Sequence, residues 1–181
     1  MRRAARLIDG NKVAAAIRAE LTGEVGALKR RGVAPGLAVI LVGDDPGSQI
    51  YVRNKAKACA EVGIESFVHT LPADTPERKV LDLVRKLNDD PRVHGILVQS
   101  PLPKQIDESK IVNTISPAKD ADGFHPVNVG RLLIGLPGPK PCTPKGVQVL
   151  LERYKYDPAG KHVVIVGRSN IVGKPLAALL M

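Results

Sequence analysis

Apolar residues recur along this chain with two different periods. Over residues 12–31, Val13, Ile17, Leu21, Val25 and Leu28 fall at helical spacing, which predicts an amphipathic helix. Leu37 to Val42 is instead an unbroken apolar run that stops at Gly43-Asp44-Asp45-Pro46-Gly47. A run without alternation marks a strand covered on both faces, as in a parallel sheet. A helix is expected next, capped by Ser48 and closed by Gly63. Ile64 to Leu71 is a second strand candidate. Pro76 opens a helix that carries Val80, Leu83, Val84 and Leu87 and stops near Pro91. Val93 to Val98 reads as a third strand and Asp107 to Ile115 as a short helix.

Residues 116–146 are rich in Pro and Gly and read as loop and linker, with a domain boundary near 138–146. Beyond it the pattern predicts a helix over 144–154, a buried strand over His162–Val166, a turn over Gly167–Gly173 and a helix from Lys174. Strand–helix alternation of this kind implies an α/β fold with a parallel sheet and right-handed crossovers. The expected layout is a parallel-sheet domain over 1–140 with helices on both faces, then the start of a second α/β unit over 141–181. The last helix is only about two turns long at Met181, so the chain reads as a truncated product or a fragment.

Composition narrows the function classes. The 181 residues are 44% hydrophobic and 25% charged, an ordinary globular mixture. Aromatics are 3%, few for a protein that stacks single-stranded bases. The net charge of +9 is spread along the chain rather than gathered in a basic tail. It suits an anionic small molecule, and a nucleic-acid partner is not expected. Arg2, Arg3 and Arg6 resemble the start of a targeting peptide, but no apolar stretch of useful length follows, and no run approaches a membrane span. Cys59 and Cys142 suggest neither a disulfide framework nor a metal cluster. A soluble, cytoplasmic protein without a membrane partner is the expectation.

Four segments could carry chemistry. Tyr51 and Lys55 stand four apart on one helix face, at the carboxyl edge of the sheet where α/β proteins bind ligands. Lys55 lies among Ile50, Val52, Ala56 and Ala58, and a partly desolvated lysine is useful for proton transfer. The plainer alternative is a surface lysine beside a tyrosine. In Val98-Gln99-Ser100-Pro101-Leu102-Pro103, Gln99 falls where the third strand ends and can orient a lysine or bond a polar heterocycle. The plainer alternative there is a strand-to-loop exit. In Lys119-Asp120-Ala121-Asp122-Gly123-Phe124, an aspartate can accept from a ring N–H and amino group, or simply stabilise a turn. Metal is discounted, because His125 alone supplies no matching third ligand. Finally, Gly167-Arg168-Ser169-x-x-x-Gly173 follows an aliphatic run, and backbone amides at such a turn can cradle phosphate. Arg168 could fork onto a phosphate, including the 2′-phosphate that separates NADP from NAD. The alternative is a tight turn.

Taken in order, these segments closely resemble the bifunctional methylenetetrahydrofolate dehydrogenase/methenyltetrahydrofolate cyclohydrolase family. The matching stretches are Gly43-Asp44-Asp45-Pro46-x-Ser48-x-x-Tyr51-Val52-x-x-Lys55, Gly95-Ile96-Leu97-Val98-Gln99-x-Pro101-Leu102-Pro103, Pro117-x-Lys119-Asp120-x-Asp122-Gly123-Phe124, Pro141-Cys142-Thr143-Pro144-x-Gly146 and Gly167-Arg168-Ser169-x-Ile171-Val172-Gly173-x-Pro175. The resemblance implies a folate-binding catalytic domain over 1–140, then the first part of a Rossmann-like NADP-binding domain over 141–181. It implies NADP as cofactor, tetrahydrofolate derivatives as substrates and a homodimer when full length. Lys55 would be the catalytic lysine, Tyr51 would stack on the folate ring, Gln99 would bond Lys55, and Asp122 would grip the pterin-like ring. Val98 and Ser100 would line the substrate site. Gly167, Arg168 and Ser169 would hold the cofactor phosphates.

The chain departs from the family pattern at Ser100, where leucine is usual, and at Ala121, where valine is usual. Ser100 keeps the loop able to hydrogen-bond and removes apolar area beside the folate. A later Pro-Gly-Gly-Val-Gly-Pro segment is absent. Poor NADP binding and little dehydrogenase activity are therefore expected, and a folate-binding remnant without turnover is the alternative. Short-chain dehydrogenases also carry Tyr-x-x-x-Lys, but their glycine-rich turn precedes that pair, the reverse of the order here.

Overall fold

The computed structural model describes residues 5–181; Arg2 and Arg3 of the amino-terminal basic cluster lie outside the described residues. Helix α1 (Gly10–Arg30) starts where the Asp9 carboxylate accepts from Lys12 N at 3.0 Å, and ends with Lys29 and Arg30 complementing its dipole. Only Val25 of its apolar stripe is fully buried, because α1 packs on a second helix rather than on the sheet.

Strand β1 (Gly36–Val42) is the centre of a parallel sheet of order β2-β1-β3, with β2 (Glu65–Leu71) and β3 (Gly95–Val98) on its flanks. Val39 stands opposite Val68 on one side and Leu97 on the other. Its side chains feed two cores, which is why the run is apolar at every position. Ala38, Ile40 and Val42 pack with Ile96 against Val80, Val84 and Leu87 of α3 (Glu77–Asp89) and Ile111 of α4 (Glu108–Thr114). Val39 and Leu41 pack with Leu97 against Val52 of α2 (Pro46–Val62) on the opposite face. Helices thus cover both faces, as the sequence implies.

Local details differ from the sequence expectation. Asp45, not Ser48, caps α2: its carboxylate accepts from Ser48 N at 2.7 Å, while Pro46 occupies the first turn. The helix does close on Gly63, in the left-handed region at φ 85°. The 116–146 stretch is not all loop. It holds α5 (Pro126–Leu133), started by Pro126 and by His125 Nδ1, which accepts from Val127 N at 3.1 Å. Eight residues are too few for a legible apolar stripe.

Helix α6 (Cys142–Arg153) begins two residues before Pro144. Helix α7 (Gly173–Leu180) packs on α5 and α6. The strand expected over His162–Val166 does not form: the segment runs irregularly, and Val166 is 99% exposed. A strand exists only through hydrogen bonds to a neighbour, and among the described residues none lies alongside this one. The amino-terminal side grips the end of α6. Arg153 forms a two-pronged pair with Glu20 at 2.7 and 2.5 Å, and Asp9 N donates to Tyr154 Oη at 2.7 Å. No helix among the described residues is long and apolar enough to cross a membrane.

Candidate active site

Three polar side chains from three segments meet where β1 and β3 end. Lys55 lies on α2 and Gln99 directly after β3, 44 residues apart, yet Lys55 Nζ donates to Gln99 Oε1 at 2.8 Å. The parallel pairing of Ile40 with Val98 brings the ends of the two strands together, and Gln99 N donates to Ile40 O at 2.9 Å. Lys55 is half-buried. Tyr51, one turn earlier on the same helix face, is exposed, with its ring centre 5.8 Å from Lys55 Nζ.

The third segment is tied to β3 by a short extra parallel contact. Ile96 N donates to Lys119 O at 2.6 Å and Ala121 N donates to Ile96 O at 3.1 Å. That contact separates the two aspartates. Asp120 turns inward, where its carboxylate accepts from Gly123 N at 3.0 Å, His125 N at 2.8 Å and Asn128 Nδ2 at 2.9 Å. It is the turn stabiliser. Asp122 faces the cavity beside Lys55. Burial pushes its carboxyl up to about 6, the Lys55 ammonium pulls it down, and the Asp120 carboxylate adds to the rise. The turn-stabilising meaning of the motif thus belongs to Asp120, and Asp122 is left facing the cavity. Gly123 allows the turn: at φ 69°, an added Cβ would meet Lys140 C at 2.7 Å.

Lys55, Val98, Gln99, Ser100 and Asp122 line one cavity of about 800 Å³. Sequence reasoning did not foresee part of its wall. Glu108, Ser109 and Asn113 come from α4, and Asn170 and Ile171 from the turn before α7. Phe124 and Ile171 sit inside motifs already singled out, so a signal for them existed. Glu108 has none, because its contact with the Ser100 hydroxyl spans a turn that no periodicity describes. Cys142 lies close by, with Sγ 3.7 Å from Ala121 O; burial, then Asp122, push its thiol up although the residue keeps an exposed surface. His125 is spent on capping α5, and the described residues contain no cluster of metal-ligating side chains.

The turn before α7 is arranged differently. Ser169 Oγ accepts from Val172 N at 3.1 Å and Gly173 N at 3.3 Å, and Ser169 O accepts from Lys174 N at 3.1 Å. The first amides of α7 are therefore satisfied from within the turn. Gly173 is required there, since a Cβ would lie 2.3 Å from Gly167 O. Those amides are not free to cradle a phosphate, and Arg168 is the exposed cation on this turn. Gly167, Arg168 and Ser169 themselves stand outside the cavity wall that Asn170 and Ile171 complete.

Comparison with known proteins gives a consistent result. Residues 8–122 match the family profile "Tetrahydrofolate dehydrogenase/cyclohydrolase, catalytic domain". Residues 141–181 match the corresponding NAD(P)-binding domain. The chain is 59% identical over 177 residues to the "Bifunctional protein FolD" of Geotalea uraniireducens, covering 98% of this chain and 63% of that protein. It superposes on the crystal structure of the bifunctional FolD methylenetetrahydrofolate dehydrogenase/cyclohydrolase from Campylobacter jejuni with a TM-score of 0.96 at 50% identity, over 98% of this chain and 63% of the other. A Trypanosoma brucei methylenetetrahydrofolate dehydrogenase-cyclohydrolase, solved with NADP and an inhibitor, gives 0.93 at 44% identity, over 97% and 61%. The chain thus spans less than two thirds of the length of these relatives.

Proposed function

This chain belongs to the tetrahydrofolate dehydrogenase/cyclohydrolase family, and from that premise we propose that it is a bifunctional one-carbon folate enzyme. Its reactions would be the NADP-dependent oxidation of 5,10-methylenetetrahydrofolate to 5,10-methenyltetrahydrofolate and the hydrolysis of that product to 10-formyltetrahydrofolate. The observation that carries the reading is the 2.8 Å contact of Lys55 Nζ with Gln99 Oε1, with Asp122 on the same cavity.

In the hydrolytic step, water adds to the methenyl carbon, a proton is released and the bond to N5 opens, leaving the formyl group on N10. Lys55 is the group placed to move protons there, with Gln99 holding Nζ in position. Asp122, when ionised, accepts from the ring N–H and amino group of the pterin, and Tyr51 stacks on the folate. Val98 and Ser100 complete the substrate wall. NADP, when bound, accepts the hydride of the oxidative step. Arg168 would hold a cofactor phosphate, with Gly167 and Ser169 shaping the turn that presents it. We assign residues 1–140 to the folate-binding catalytic domain and 141–181 to the start of the Rossmann-like NADP-binding domain. Family resemblance alone supports a cytoplasmic homodimer whose one-carbon units feed purine and amino-acid synthesis.

The test is hydrolysis of methenyltetrahydrofolate by the wild type and by Lys55→Met. Loss of a positioned proton-transfer group lowers the rate by about 10²–10⁴-fold. Equal rates for the two proteins would sink the assignment. NADP binding, followed by titration calorimetry on wild type and Arg168→Ala, tests the cofactor half; the variant should bind more weakly while hydrolysis is unchanged.

A further inference from the structure

An ammonium only donates, so Gln99 serves Lys55 only if its oxygen, not its nitrogen, faces Nζ. The two ends of a carboxamide have nearly the same shape, and their neighbours decide which way it points. The Nε2 end of Gln99 donates to Ser100 O at 2.8 Å. That carbonyl also accepts from Ser48 Oγ of α2 at 3.4 Å. The Ser100 hydroxyl reaches the other way and donates to Glu108 Oε1.

Glu108 stands on a fixed base. Asp107 caps α4, accepting from Ser109 N at 2.9 Å and Lys110 N at 3.3 Å. Glu77 of α3 accepts from Asp107 N at 2.7 Å and from Lys110 Nζ at 2.9 Å. Hydrogen bonds and the short stretches of main chain between them therefore connect α3, through the start of α4 and Ser100, to the amide that meets Lys55.

Resting on the folate-enzyme reading, we propose that Ser100 and Glu108 are positioning residues: through the Ser100 carbonyl they hold the Gln99 amide so that Oε1 faces Lys55. The bond between them is charge-assisted and so stronger than a neutral one. Neither residue exchanges a proton in the reaction. Cutting the connection at Glu108 leaves the Lys55–Gln99 pair in place but frees Ser100, and with it the carbonyl that orients the amide.

The experiment compares Glu108→Ala, Glu108→Gln and Ser100→Ala in the full chain. Glu108→Ala and Ser100→Ala should each lower kcat for hydrolysis about 3- to 10-fold, the size expected for one lost hydrogen bond, with KM within about twofold in Glu108→Ala. Glu108→Gln keeps an oxygen that accepts the Ser100 hydroxyl and should restore the rate to within about twofold. In a Gln99→Ala background, Glu108→Ala should cost nothing further, because the connection ends at Gln99. A rise in KM alone, or the same loss in both backgrounds, overturns the proposal. The side-chain amide protons of Gln99, assigned in NMR spectra by their disappearance in Gln99→Ala, give a readout independent of turnover. They should shift and exchange faster in Glu108→Ala and stay unchanged in Glu108→Gln. Unchanged signals in Glu108→Ala overturn the proposal. A wild type without hydrolysis would sink the functional reading, while the amide signals still decide this one.

Discussion

Two apolar runs in this chain look alike and behave oppositely. Leu37–Val42 and His162–Val166 are both short, rich in valine and isoleucine and followed by glycine. The first is β1, paired on both sides, with Val39 fully buried. The second has no partner among the described residues and leaves Val166 99% exposed. A run of such residues specifies a need for cover, and only a neighbouring strand turns that need into a strand. The same contrast holds for chemistry. At the end of β1 and β3, side chains from separate segments satisfy one another across a cavity. In the turn after residue 166, Ser169 satisfies the backbone amides nearest to it.

The contrast can be tested at three scales. The largest effect is in the cores: Ile40→Ala should lower stability by about 2–5 kcal/mol, read from the midpoint of chemical denaturation. Val166→Ala should change it by no more than about 0.5 kcal/mol, as exposed positions do. Comparable losses would mean that the second run is buried in solution.

A middle-sized effect belongs to Asp122. Its folded carboxyl titrates near 6, above its ordinary 3.8, so the native state binds that proton more tightly than the unfolded chain. The group's contribution to stability is therefore fully present below about pH 4, lost as pH rises to about 6 and constant above that. Relative to wild type, Asp122→Asn should gain about 3 kcal/mol of stability between pH 4 and pH 7. Folate affinity should follow the opposite limb, weakening below about pH 6 as the carboxylate loses its capacity to accept. A wild-type-minus-variant stability that is flat between pH 4 and 7 would break this account. The smallest effect is at the exposed Arg153–Glu20 pair, where Arg153→Ala should cost at most about 1 kcal/mol, shrinking with added salt.

The sheet core was readable in advance because β1 has to be apolar at every position to serve two faces, and α3 carries a stripe with the helical period. Elements without such repetition were not. Helix α5 is eight residues inside a Pro- and Gly-rich stretch, started by a histidine and a proline. The cap of α2 went to Asp45 rather than Ser48, because both are competent oxygen acceptors and the loop geometry chose between them.

Sequence by itself determined the parallel α/β fold, that Leu37–Val42 is a strand covered on both faces, and that Tyr51, Lys55, Gln99 and Asp122 sit at strand ends or in adjoining segments. Family membership was legible from the ordered motifs. Tertiary structure alone decided that Asp120 turns inward while Asp122 faces Lys55, that Glu108 reaches Ser100, and that the run after residue 161 stays unpaired. The physical reason is one of range. Periodicity and turn chemistry are local and are written in neighbouring residues, whereas hydrogen bonds and burial between distant segments depend on which surfaces the fold brings together.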